Sequence, residues 1–247
     1  MSLPIGLQLY SIKDETEKNF KAALKEVAKI GYSGVEFAGY GGLESSEIKS
    51  LLDELGLVVC GSHVSLQELT ENIQGVIDYN LEIGNKYIIC PYATYSSRQD
   101  FEDMALKLND IGKRIKANGL LFGYHNHSNE LQKFDGEYGL DSLYKKTDKN
   151  LVKAEIDTYW LQYAGLDPAD YIKKHAGRCD LIHIKDMKVI GEEKQSTEVG
   201  NGIMDFKPII YEAEKQGAKW LIVEQEHFNR PTLESVKICY ENLKKLV

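Results

Sequence analysis

Four short stretches carry residue types that can bind a cation and move protons: Tyr124-His125-Asn126-His127, Glu155-Ile156-Asp157, His183-Ile184-Lys185-Asp186 and Glu224-Gln225-Glu226. Each closes an apolar run that reads as a buried strand, namely Leu120 to Gly123, Leu151 to Ile156, Leu181 to Ile184 and Trp220 to Val223. A lone His or Glu is more often a solvated or satisfied core group than a ligand. Four sets in succession, each in the same place relative to its strand, point to one shared site. Imidazole, carboxylate, imidazole and carboxylate together suit one divalent ion such as Mn, Zn, Mg, Fe or Co.

Side chains alternate faces along a strand. His125 therefore shares a direction with His127, Glu155 with Asp157, His183 with Lys185, and Glu224 with Glu226. One member of each pair can hold the ion while the other faces substrate or anchors the first. His125, Asp157, His183 and Glu224 are the expected ligands, because they lie closest to the last apolar residue of each strand. An ion there can polarise a carbonyl or hydroxyl and ease removal of a carbon-bound proton through an enediolate, as sugar isomerisation and epimerisation require. The proton also needs a base. His127 and Glu226 come first for that role, with Glu130 and Lys185 as further catalytic candidates; a solvated loop carboxylate is the plain alternative for Glu130 and Glu226. Tyr10, Glu36, His63, Tyr159 and Trp160 are expected to bind substrate, the aromatic rings by stacking on the apolar face of a sugar.

These residues must be positioned by a repeating frame, and the chain supplies one. Strand patterns at Gly6 to Tyr10, Gly34 to Ala38, Leu57 to Val64 and Tyr87 to Cys90 alternate with helical patterns at Thr16 to Ile30, Ser45 to Leu55, Leu66 to Ile83 and Arg98 to Ala117. The second half continues with strands at Leu120 to Tyr124, Val152 to Ile156, Leu181 to Ile184 and Trp220 to Val223. Its helices are expected near Leu140 to Lys146, Ala169 to His175, Phe206 to Gln216 and Leu233 to Leu246. Eight strand and helix pairs, with no linker or low-complexity segment, predict a single α/β domain over residues 1 to 247, a (β/α)8 TIM barrel with its chemistry at the C-terminal strand ends. Asn126 to Gly139 and Met187 to Met204 read as long loops, the second able to cover a substrate or simply to be solvated.

The net charge is −8 across 247 residues, without a basic block, which argues against a nucleic-acid partner. No apolar stretch reaches the roughly 18 residues that span a bilayer, and no leader pattern opens the chain, so no membrane partner and a cytoplasmic location are expected. Cys60, Cys90, Cys179 and Cys239 lack metal-knuckle or disulfide spacing. Arg98, Arg114, Arg178 and Arg230 are scattered and no Gly-rich phosphate loop is present, so an unphosphorylated small carbohydrate is the expected partner.

Across nearly its whole length, the chain resembles the xylose isomerase-like TIM-barrel superfamily of sugar phosphate isomerases and epimerases. The resemblance lies in Gly6-Leu7-Gln8-Leu9-Tyr10-Ser11, Gly34-Val35-Glu36, Ser62-His63, the four stretches above, and Gly200-Asn201-Gly202 with Asp205-Phe206. It implies one divalent ion held by Glu, Asp, His and Glu, and a homo-oligomer is a possibility it carries. Asp157, His183 and Glu224 match that pattern; His125 stands where the first Glu is usual. In epimerases of this kind the two Glu ligands also form the acid and base pair, so the change leaves the reaction open. Isomerisation or epimerisation of a small sugar, keto-sugar or cyclitol leads, with dehydration of an inosose or elimination from a 3-keto sugar as the alternative. A non-catalytic sugar-binding barrel stands behind both.

Overall fold

The computed structural model describes residues 2–247. Its strands, in chain order, are β1 (Ile5–Gln8), β2 (Gly34–Phe37), β3 (Val58–His63), β4 (Tyr87–Cys90), β5 (Leu121–His125), β6 (Lys133–Phe134), β7 (Glu137–Tyr138), β8 (Lys153–Asp157), β9 (Leu181–Ile184), β10 (Asp186–Ile190), β11 (Glu193–Thr197) and β12 (Trp220–Val223). Eight of them close a parallel barrel in the order β1-β12-β9-β8-β5-β4-β3-β2. The other four form two small antiparallel hairpins, β6-β7 and β10-β11.

The helices are α1 (Lys13–Ile30), α2 (Ser45–Leu55), α3 (Leu66–Glu71), α4 (Ile73–Glu82), α5 (Arg98–Ala117), α6 (Gly139–Lys146), α7 (Thr158–Tyr163), α8 (Pro168–Lys174), α9 (Phe206–Lys215) and α10 (Thr232–Leu243). Their ends follow local chemistry. Ser97 and Asp100 form a capping box at α5, Asp167 caps α8 just before Pro168, and Gly31 ends α1 at φ 113°. The α5 stripe Phe101, Ala105, Leu108, Ile111 and Ile115 is buried against the sheet. Each large aliphatic side chain so buried contributes about 2 kcal/mol. None of the described helices is long and apolar enough to cross a membrane.

The barrel interior has two zones. Toward the N-terminal strand ends, Cys60, Tyr87, Ile89, Leu181 and Ile222 form an apolar plug against Leu121 and Trp220. Gly34 is required there, since a Cβ would stand 2.9 Å from the Trp220 ring and 2.6 Å from the Val58 carbonyl oxygen. Toward the C-terminal ends, the interior turns polar and carries Gln8, Glu36, His125, Glu155, Asp157 and His183, all buried.

Four expected stretches differ. The pattern from Leu66 to Ile83 is two helices, because Asn72 takes a non-helical conformation at φ −137° and ψ 38°. The first strand stops at Gln8, whose side chain accepts from the Tyr10 N–H and starts a 3-10 turn over Leu9–Ile12. The stretch after β9 is no featureless loop: Asp186 to Thr197 pairs as the β10-β11 hairpin, and Asn126 to Gly139 likewise contains β6-β7.

Candidate active site

The C-terminal ends of the barrel strands surround a cavity of about 650 Å³. Its walls include Tyr10, His63, Tyr92, His125, His127, Glu224, Glu226 and His227. Below it lies a compact polar cluster in which His125, Asp157, His183 and Glu224 each offer a ligand atom within 4.8 Å of the others. These are the four expected ligands, contributed by β5, β8, β9 and the residue after β12. A second set of the same kind, His63, His125, Glu155 and His183, overlaps the first and shares both central imidazoles.

Those two imidazoles face both ways. His183 Nε2 is 2.7 Å from Glu36 Oε2, while its Nδ1 is 3.1 Å from Glu224 Oε2. His125 Nδ1 lies 3.0 Å from Glu155 Oε2, outside hydrogen-bond direction, and its Nε2 lies 3.9 Å from Asp157 Oδ2. His63 Nε2 is 2.7 Å from Glu155 Oε2 and 3.3 Å from Glu36 Oε2. Glu36 fits beneath because position 61 is glycine; a Cβ there would stand 2.2 Å from Glu36 Oε1.

Lys185 supplies a fixed positive charge in the cluster. Its ammonium donates to Glu226 Oε1 at 2.7 Å and lies 3.4 Å from Glu224 Oε2 and 3.6 Å from Asp157 Oδ2. The rings of Tyr159 and Trp160 flank it at 5.3 and 5.1 Å. Burial opposes the Lys185 charge, but the three carboxylates more than offset it and raise its pKa. Burial also works against charge on His63, yet Glu36 and Glu155 raise it to about 10. Burial alone dominates at His125 and His127, which are held below the ordinary imidazole range, His127 at about 4. Asp157 is pushed up to about 7, chiefly by burial, against the pull of Lys185.

The donor chemistry fits a divalent ion. Glu36 Oε1, Glu155 Oε1, His125 Nδ1 and Asp157 Oδ2 are buried without a hydrogen-bond partner among the described residues. Such orphaned atoms are rare in folded proteins unless an ion or water completes them.

Several of the expected site residues lie away from the cavity. Glu36 is fully buried beneath the imidazoles, accepts from Gln8 Nε2 at 2.8 Å and is not among the residues lining the cavity. Glu130 is turned out of the cavity: its carboxylate accepts from Tyr124 OH at 2.6 Å and from the His127 N–H at 2.9 Å, fixing the backbone of His127. Lys185 is fully buried, with its ammonium against Asp157, Glu224 and Glu226, and is not among the residues lining the cavity. Tyr159 donates to the Lys194 carbonyl on β11, and Tyr159 and Trp160 pack on Lys185 behind the wall. Tyr10, His63, His127 and Glu226 do line the cavity.

Sequence reasoning passed over His227 and left Glu155 only as the companion of Asp157. Glu155 was visible as the inward partner of Asp157, one strand step deeper. His227 is set by a contact that no local pattern encodes: Ser196 Oγ, on β11, accepts from the Glu226 and His227 N–H groups at 2.9 Å each. The hairpin thereby fixes both wall residues. Asp186 in turn accepts from the N–H groups of Met187, Gly200, Gly202 and Met204, tying the next loop to the end of β9.

A family model described as xylose isomerase-like TIM barrel matches residues 24–245. The chain is 26% identical to the inosose dehydratase of Clostridium beijerinckii, over 90% of this chain and 88% of that protein. Among solved structures, a sugar phosphate isomerase/epimerase from Parabacteroides distasonis superposes with a TM-score of 0.84 at 29% identity, covering 99% of this chain and 98% of that one. An L-ribulose 3-epimerase shares the fold at a TM-score of 0.75 and 15% identity, over 99% of this chain and 94% of that one.

Proposed function

The chain belongs to the xylose isomerase-like TIM-barrel family, an enzyme family, and from that premise we propose that it is a dehydratase of a small keto-cyclitol or keto-sugar of the inosose class. The observation that carries this is the pairing of two unlike proton-handling groups around one cavity. His127 follows β5 and Glu226 follows β12, three strands apart around a ring of eight. Loss of water from a hydroxyketone asks for unlike services at neighbouring carbons: one group takes the carbon-bound proton beside the carbonyl, and another returns a proton to the departing hydroxyl. An imidazole and a carboxylate on separate walls suit that division of labour. The sequence reading put isomerisation first; the shared name of the curated relatives and the exchange of a carboxylate for His125 favour dehydration.

His125 and His183, with Asp157 and Glu224 or with His63 and Glu155, would hold a divalent ion beneath the substrate. Such an ion supplies a Lewis acid that polarises the carbonyl and acidifies the adjacent C–H. Lys185 holds Glu226 in place from behind, and Ser196 fixes the backbone on which Glu226 and His227 sit. Tyr10 and Tyr92 line the cavity, where aromatic rings would pack on the substrate's C–H surface. No Lys or Arg is among the described lining residues, which supports an unphosphorylated substrate.

Epimerisation is the second reading, favoured by the name of the Parabacteroides relative and by the same pair of groups acting on one carbon from opposite faces. One experiment separates the two. Purified protein supplied with Mn²⁺ or Co²⁺ is incubated with an inosose in D₂O and followed by ¹H NMR. A product lacking one molecule of water supports the dehydratase; deuterium at the carbon beside the carbonyl in an intact epimer supports the second reading. Neither change, across inososes and keto-sugars, would sink both.

A further inference from the structure

We propose that the substrate extends past Tyr10 into a second cavity beside the catalytic one and carries a second, uncharged polyol ring there. The proposal rests on the reading that the barrel acts on a keto-sugar, and it narrows that substrate to a two-ring glycoside.

The two cavities share a boundary. Beside the catalytic cavity lies another of about 440 Å³, and Tyr10 and Ala38 line both. Each volume falls within the roughly 300 to 1,000 Å³ typical of small-molecule sites. Tyr10 is half exposed, and position 38 contributes only a methyl group. The shared boundary is thus one ring and one methyl.

Tyr10 is placed from the catalytic side. Gln8 closes β1, where its Nε2 donates to Glu36 at 2.8 Å and its Oε1 accepts from the Tyr10 N–H at 3.0 Å. The backbone of Tyr10 is thereby tied to the polar cluster. Beyond it, Lys13, Thr16 and Glu17 share one face of α1, and Phe20 completes that wall. The loop after β2 supplies another wall. There Gly41, at φ 63°, lies so close to the Phe20 ring that a Cβ would stand 2.5 Å from it, and glycine alone lets the loop close on that side.

The chemistry of the walls selects the occupant. Tyr10 and Phe20 offer aromatic surface for the C–H face of a sugar ring, while Thr16, Lys13 and Glu17 offer a hydroxyl, an ammonium and a carboxylate to its hydroxyl groups. The two charges offset each other: Lys13 Nζ lies 3.6 Å from Glu17 Oε1 and 5.5 Å from the centre of the Tyr10 ring. A phosphate or carboxylate would compete with Glu17 for that ammonium, whereas neutral hydroxyls can use both members of the pair. Because Tyr10 borders both spaces, a ring joined to the one in the catalytic cavity fits better than a separate ligand.

The test is a binding comparison that needs no turnover. Glucose, maltose, cellobiose and trehalose are titrated calorimetrically into the Mn²⁺-supplied protein. The wild type should bind at least one disaccharide about tenfold more tightly than glucose. Thr16→Trp, first checked for a cooperative melt, fills the second cavity at a position that does not line the catalytic one, so it should abolish that preference and leave glucose affinity unchanged. Glu17→Ala, at an exposed position, gives the second readout and should weaken the disaccharide alone. Equal or undetectable binding of one-ring and two-ring sugars by the wild type, or a two-ring preference that survives both variants, would overturn the proposal. Failure of the dehydratase and epimerase readings shows differently, as no turnover of any ketone while the two-ring preference and its loss in the variants persist.

Discussion

His183 Nε2 lies 2.7 Å from Glu36 Oε2, a contact that reaches through the barrel interior between β9 and β2. A carboxylate on the far nitrogen of a metal-binding imidazole fixes the ring's orientation and raises its basicity. Substituting Glu36→Gln is therefore expected to weaken Co²⁺ or Mn²⁺ binding by about 10- to 100-fold. Titration calorimetry measures this, and unchanged affinity would remove Glu36 from the site's support.

Lys185 is expected to be the counter-ion of the cavity floor. Lys185→Met leaves Asp157, Glu224 and Glu226 without it, and the chelated protein should lose about 3 kcal/mol of stability in urea. Turnover should also fall, because Glu226 loses its anchor. Lys185→Arg should not restore it, since Tyr159 and Trp160 enclose the ammonium. Wild-type stability in the Met variant would show that the three carboxylates do not depend on Lys185.

The loop after β11 should depend on one carboxylate. Asp186→Ala removes the acceptor of four backbone N–H groups, at a cost of about 3 kcal/mol. Hydrogen exchange should rise first at Gly200, Gly202 and Met204. Gly202→Ala should act in the same direction, because its Cβ would stand 2.3 Å from Asp186 Oδ1. Exchange that stays protected in both variants would mean the loop is held by other contacts.

Acid should weaken the fold partly through Asp141. Burial opposes its charge, but hydrogen bonds from His175, Lys174 and Tyr171 outweigh that and lower its pKa to about 2 from the usual 3.8. A carboxylate depressed in the folded state stabilises above its unfolded pKa and loses that contribution as pH falls toward the folded value. Urea unfolding across pH 5 to about 2 should therefore show a loss of about 1–2 kcal/mol in wild type that Asp141→Asn lacks, after allowance for solvent screening. Parallel pH curves for the two proteins would exclude Asp141 as the source.

The barrel was legible because its signals are local. Apolar strand runs alternating with helical stretches repeat eight times, and side-chain parity aimed His125, Asp157, His183 and Glu224 at a common point. What escaped depends on neighbours distant in sequence. Glu36 looked like a mouth residue because β2 reads inward there, but its depth follows from Gly61 on the adjacent strand. Glu130 looked available until Tyr124 and the His127 backbone bound it. The β10-β11 hairpin was hidden because Asp186 to Thr197 is mostly polar, and its pairing and the anchor at Ser196 are set by tertiary contacts.

The two tryptophans sit at opposite ends of the barrel, Trp220 against the apolar plug and Trp160 beside Lys185 and His127. The molecule thus carries two native fluorophores with separate duties. Emission from Trp220 reports whether the barrel is closed, whereas Trp160, near a cation and an imidazole that can quench it, reports events at the mouth. With Trp160→Phe as the blank, the difference signal becomes a label-free optical assay for ions and ketones entering the cavity.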